Sequence, residues 1–95
     1  MNKLEEARLI INEVDEQLIE LFKKRMAASK LVAEYKKENN LPITDSNRET
    51  ALLNKNLSIL NDASLEGYYR TFFEGVLKAS KNYQEDLNKW KDMVY

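Results

Sequence analysis

Eight side chains in this sequence, cations, carboxylates and small polar groups, could together line one polar pocket: Arg8, Arg25, Lys36, Asp45, Arg48, Glu49, Ser80 and Gln84. The chain has no His and no Cys. That removes thiol nucleophiles, disulfides, thiolate and imidazole metal ligands and the usual neutral-pH general base. Any chemistry must come from guanidinium, ammonium, carboxylate, amide and hydroxyl groups.

Arg25 is the most informative of the eight. It falls among Leu21, Met26, Ala28 and Val32, where a guanidinium loses hydration and is tolerated when it meets an anion. Snorkelling to solvent, or pairing with a Glu of another chain, would serve equally well. Lys36 lies eleven residues on, a rotation of about 1100° or three turns plus 20°, so on a helix it shares the face of Arg25 roughly 16 Å away. Arg8 borders the same apolar face but lies roughly 25 Å from Arg25 along a helix axis, beyond reach within one straight helix. Ser80 and Gln84 are one helical turn apart and share a face. Asp45, Arg48 and Glu49 sit where a helix begins and have an ordinary reading as caps and surface pairs.

The elements that hold these residues are helices. The 95 residues contain 2 Gly and 1 Pro, which leaves few tight turns and favours long helices. From Lys3 to about Lys37 nothing breaks a helix, and Glu38-Asn39-Asn40-Leu41-Pro42 ends it. A second helix is predicted over about 46–60, where Ser46-Asn47-Arg48-Glu49 has capping-box spacing. Asn61-Asp62-Ala63-Ser64 reads as a turn. A third helix is predicted over about 65–90, with Leu65, Tyr69, Phe72, Phe73, Val76, Tyr83 and Leu87 on one apolar stripe and Gly75 marking a close helix contact. The fold class is therefore all-α, a single domain over 1–95.

The first helix is too long for one small globule. It would measure roughly 52 Å, against a radius of gyration of about 12 Å for a compact domain of this size. In a heptad frame, positions a are Leu4, Ile11, Leu18, Arg25 and Val32, and positions d are Ala7, Val14, Leu21, Ala28 and Tyr35. That seam calls for a second copy, giving an intertwined helical homodimer. An antiparallel two-fold pairing centred near residue 19 or 20 would set the partner's Arg8 level with residue 30 or 32, between Arg25 and Lys36. Two cationic pockets would follow, each built from both chains.

Composition excludes several function classes. With 15 Lys+Arg against 16 Asp+Glu the formal net charge is -1, so no global basic field exists to hold nucleic acid. Acidic residues interrupt every apolar stretch, so neither a leader nor a membrane span is expected, and the chain reads as cytoplasmic.

The order and spacing of these motifs resemble the all-helical chorismate mutase family, the AroQ class. The resemblance runs from about Lys3 to Leu87. It rests on Arg8-Leu9-Ile10-Ile11-Asn12-Glu13-Val14-Asp15, on Leu18-Ile19-Glu20-Leu21-Phe22 leading to Arg25, on Lys36, Pro42 and Asp45-Ser46-Asn47-Arg48-Glu49, and on Ser80 with Gln84. It implies a [3,3] Claisen rearrangement of chorismate, a dicarboxylate, to prephenate, with no covalent intermediate, metal or cofactor. By resemblance, Arg25 and the partner subunit's Arg8 hold the two carboxylates, and Lys36 and Gln84 donate to the ether oxygen. Glu49 and the backbone at Asp45 hold the ring hydroxyl, Ser80 assists at a carboxylate, and Arg48 shapes the site. Two other readings are open: an isochorismate pyruvate-lyase of the same fold, and a non-catalytic helical dimerisation or regulatory module.

Overall fold

The computed structural model describes the backbone of residues 1–94 and the side chains of residues 1–89. It contains three α-helices, α1 (Lys3–Glu38), α2 (Ser46–Leu60) and α3 (Glu66–Val94), with a 3-10 turn at Ala63–Leu65 before α3.

Local chemistry sets the boundaries. Asn2 caps α1 by accepting the Glu5 N–H at 2.9 Å, with Glu5 and Glu6 at the positive end of the helix dipole. At the other end Asn40 adopts φ 55. Leu41 N–H then reaches the Lys36 carbonyl at 2.8 Å and Asn40 N–H the Lys37 carbonyl at 3.3 Å, which closes a Schellman motif. The cap of α2 differs from the expected capping box. Asp45 is the N-cap, its carboxylate accepting the Arg48 N–H at 3.1 Å. Ser46 therefore lies inside the helix, and an ionised carboxylate takes the capping position in its place. Asn61 ends α2 at φ 47, and Asp62 accepts both the Ser64 N–H at 3.0 Å and the Ser64 hydroxyl at 2.6 Å, which winds the 3-10 turn and delays α3 to Glu66.

Helix α3 packs against both α1 and α2 and joins them. The apolar side chains buried among the described residues are Ala33, Leu57 and Phe73. Phe73 stacks on Tyr69 with ring centroids 5.7 Å apart, and the Tyr69 hydroxyl accepts a hydrogen bond from Asn56 of α2 at 2.9 Å. The expected α3 stripe is wider than its neighbours cover, since Leu65 and Phe72 stay exposed. Gly75 makes no close contact, because a Cβ built there meets nothing within 4 Å.

The chain is elongated, 58 × 28 × 15 Å, with a radius of gyration of 17.0 Å. Residues 1–24, the first half of α1 included, are exposed throughout. Leu4, Ile11, Val14, Leu18 and Leu21, five of the heptad seam residues, each leave at least 42% of their surface open. The accessible surface is 7893 Å², whereas a compact monomer of this mass exposes about 5,700 Å². Among the described residues no helix is long and apolar enough to cross a membrane.

Candidate active site

The gap between α1 and α2, floored by α3, is a cavity of about 450 Å³, a volume suited to a small organic ligand. Seven of the eight residues singled out above line it: Arg25 and Lys36 from α1, Asp45, Arg48 and Glu49 at the start of α2, and Ser80 and Gln84 from α3. The rotational argument explains Arg25 and Lys36, which are eleven residues apart yet face the same space. Arg8 does not line this cavity; it lies exposed on the first half of α1.

Each polar group is held by a specific neighbour. The Lys36 ammonium donates to the Ile43 carbonyl at 2.7 Å, so the loop after α1 fixes its position and leaves two of its three N–H donors unused by this contact. The Glu49 carboxylate is 2.9 Å from the Lys81 ammonium, both side chains being partly exposed. Asp45 spends one carboxylate oxygen on its own helix. Ser80 and Gln84 are buried, and the Gln84 Nε2 lies 3.2 Å from the Ser80 Oγ. Among the described residues no carboxylate forms an ion pair with Arg25 or Arg48.

The wall carries four cations, Arg25, Lys36, Arg48 and Lys81, against two carboxylates, Asp45 and Glu49. A chain whose formal net charge is -1 thus concentrates positive charge in one partly desolvated place, where field lines are focused and anions are favoured. Among the described residues no cluster of three or more acidic groups is arranged to hold a metal ion.

Three polar lining residues are absent from the set expected from the sequence: Ser29, Asn56 and Lys81. For Ser29 a signal was available. It lies one turn from Arg25 and two turns from Lys36, on the face that both share. In a stretch reading Ala27-Ala28-Ser29 it passes for a small packing residue. Lys81 follows Ser80 directly and reads as solvated until Glu49 is placed beside it by the fold.

A second, more apolar groove of about 370 Å³ adjoins the first. Leu18, Leu21 and Phe22 of α1 and Phe72 and Val76 of α3 line it, and Arg25 and Phe73 border both spaces.

Comparison with known proteins gives the same direction as the geometry. A family model described as chorismate mutase type II matches residues 7–85. The chain is 37% identical over 98 aligned positions to a bifunctional chorismate mutase/prephenate dehydratase of Buchnera aphidicola subsp. Baizongia pistaciae, an alignment covering 95% of this chain and 26% of that protein. The chain therefore spans about a quarter of the length of that relative. No solved structure gives a significant match. With a family model matched over most of its length, and with the cationic cavity formed inside the matched segment, the chain belongs to the chorismate mutase type II family.

Proposed function

We propose that this chain catalyses the [3,3] rearrangement of chorismate to prephenate as a cytoplasmic homodimer with two shared sites. One observation carries the reading: a single cavity of ligand size is lined by Arg25, Lys36, Arg48 and Lys81 together with the buried Ser80 and Gln84.

The reaction needs no proton transfer and no nucleophile, which suits a chain without His or Cys. A dianionic substrate has to fold into a compact chair in which the carbons to be joined approach. Arginine clamps fix the carboxylates in that conformer before reaction, converting a rare geometry into the bound one. Arg25 serves one carboxylate and the partner subunit's Arg8 the other. As the carbon–oxygen bond breaks, negative charge grows on the ether oxygen. Lys36, already fixed through Ile43, and the Gln84 amide meet that charge without reorganising; removing one such donor typically costs about 3–4 kcal/mol of barrier. Glu49, steadied by Lys81, accepts the one proton of the ring hydroxyl while the backbone N–H at Asp45 donates to that hydroxyl's oxygen, and Arg48 completes the wall.

The proposed dimer is supported by what one chain leaves uncovered. The surface excess over a compact monomer is about 2,200 Å², the scale of an obligate interface. The exposed apolar face of α1 and the adjoining groove offer the surface such an interface would cover.

Purified chain added to chorismate tests the activity. The chorismate absorbance should fall in a saturable, enzyme-dependent way, and the product should be an isomer of unchanged mass identifiable as prephenate by NMR. Isochorismate run in parallel with a pyruvate readout separates the lyase reading. No turnover of chorismate at micromolar protein overturns the proposal.

A further inference from the structure

Ser29 of α1 and Ser80 and Gln84 of α3 form a chain of polar groups at the floor of the cavity. Ser29 Oγ lies 2.7 Å from Ser80 Oγ, and Gln84 Nε2 lies 3.2 Å from that same oxygen. The three residues are 6%, 8% and 5% exposed. The other end of the amide, Gln84 Oε1, is buried and has no hydrogen-bond partner among the described residues.

The direction of this chain of bonds decides what the cavity meets. With Gln84 Nε2 donating to Ser80 and Ser80 donating on to Ser29, the unpaired end of the amide is an acceptor. An acceptor repels an ether oxygen that is gaining negative charge. Nitrogen and oxygen of a carboxamide have nearly the same shape, so a half-turn of the amide exchanges them. In the reversed direction Ser29 Oγ–H donates to Ser80 Oγ, Ser80 Oγ–H donates to Gln84 Oε1, and both N–H groups of Gln84 are free for a ligand. The same two contacts persist, and the buried amide oxygen acquires its partner.

Ser29 is what holds the reversed direction. Ser80 has one proton to give, and it goes to the amide when another hydroxyl occupies the lone pair on the far side. Ser29 is that hydroxyl, and each bond in such a chain polarises the next. We propose that Ser29 is a positioning residue: its hydroxyl, acting through Ser80, holds the Gln84 amide with nitrogen toward the breaking carbon–oxygen bond. This rests on the mutase reading above. It also commits the Ser80 proton to the amide, which departs from the assistance at a carboxylate that the resemblance implies for Ser80 and leaves the substrate carboxylates to the arginines.

The test measures kcat and KM for chorismate, beside a thermal melt, in the full chain and in Ser29→Ala, Ser29→Thr and Ser29→Val. Threonine and valine share a shape and differ by one hydroxyl, and Ala decides if both are too large for the site. Ser29→Ala should lower kcat about three- to tenfold, the worth of one neutral hydrogen bond, with KM within twofold, because the ether oxygen is charged only in the transition state. The Thr variant should exceed the Val variant by a similar factor. In a Gln84→Ala background, removing the Ser29 hydroxyl should change the residual rate no further. An active parent whose Ser29→Ala variant keeps full kcat, or loses as much without Gln84 as with it, overturns the relay alone. A parent inactive on chorismate overturns the functional reading and the relay with it.

Discussion

Diluting the protein should lower its thermal stability. Among the described residues, one chain buries only Ala33, Leu57 and Phe73 of its apolar side chains and leaves the first half of α1 bare. Its surface of 7893 Å² stands about 2,200 Å² above that of a compact monomer. At about 25 cal/mol per Å², and with roughly two thirds of an obligate interface apolar, covering that excess contributes on the order of 35 kcal/mol per chain before ordering costs. Typical net stabilities are about 5–15 kcal/mol. A term that exceeds the whole net stability makes folding and association one transition.

The concentration dependence follows from mass action. For two 95-residue chains the unfolding entropy is about 0.4 kcal/mol/K, from about 2.1 cal/mol/K per residue. Each tenfold dilution removes about 1.4 kcal/mol from the folded dimer, so Tm should fall by about 3–4 °C per decade and about 7 °C over two decades. Circular dichroism at the helical minimum, followed on heating at total concentrations from 0.5 to 50 µM on the order of the working range, reads this directly. A Tm that stays constant across the series, with monomeric mass by sedimentation, would refute the reasoning.

Three further outcomes are expected. Arg8→Ala and Arg25→Ala homodimers should each be nearly inactive. Co-refolded together they should recover roughly a quarter of parental activity, because half the dimers are mixed and each mixed dimer keeps one intact site of two; a mixture no more active than its components, with exchange verified, would reject the two-chain site. Gln84→Glu should lose activity near neutrality and regain it as pH falls, since an ionised carboxylate cannot donate to the ether oxygen and a protonated one can. The parent amide should remain competent across that range, and equal activity of the variant at acid and neutral pH would show that this side chain does not face the breaking bond. Lys81→Ala should lower kcat/KM about three- to tenfold by releasing the Glu49 carboxylate, while moving stability by less than about 1 kcal/mol, as for a partly exposed ion pair; an unchanged kcat/KM would leave Lys81 as a surface partner only.

The helices were legible because their signals are local. Scarcity of Gly and Pro, the Asn39-Asn40 ending and the stripe on the third helix all act within a few residues of where they appear. Asp45 and Ser46 compete for one capping position, and sequence spacing favours the Ser46-to-Glu49 box while the backbone settles on the carboxylate. Within one chain Gly75 marks no close contact, since a mid-helix glycine by itself does not say whether a neighbour is there. At the cavity, residues that announce themselves by charge out of place, above all Arg25, could be read. Ser29 and Lys81 do not announce themselves so: helical spacing places Ser29 on the face of Arg25 and Lys36, but what its hydroxyl and the Lys81 ammonium meet, Ser80 and Glu49, is set by the fold.

The length of α1 links these observations. A helix of 36 residues is rigid enough to hold Arg8 and Arg25 at a fixed separation of roughly 25 Å, so no motion of one chain brings both to one ligand. The proposed two-fold axis near residue 19 or 20 would convert that separation into proximity, since it would carry the Arg8 end of one helix to the Arg25–Lys36 end of the other. In the proposed dimer the apolar face that a single chain leaves uncovered would be the device that completes the site. It follows that a substitution in the seam far from the cavity, such as Ile11→Asp, should abolish activity and folding together rather than weaken the reaction alone. A seam variant that stays folded as a monomer and keeps turnover would separate assembly from chemistry and remove the role assigned to Arg8.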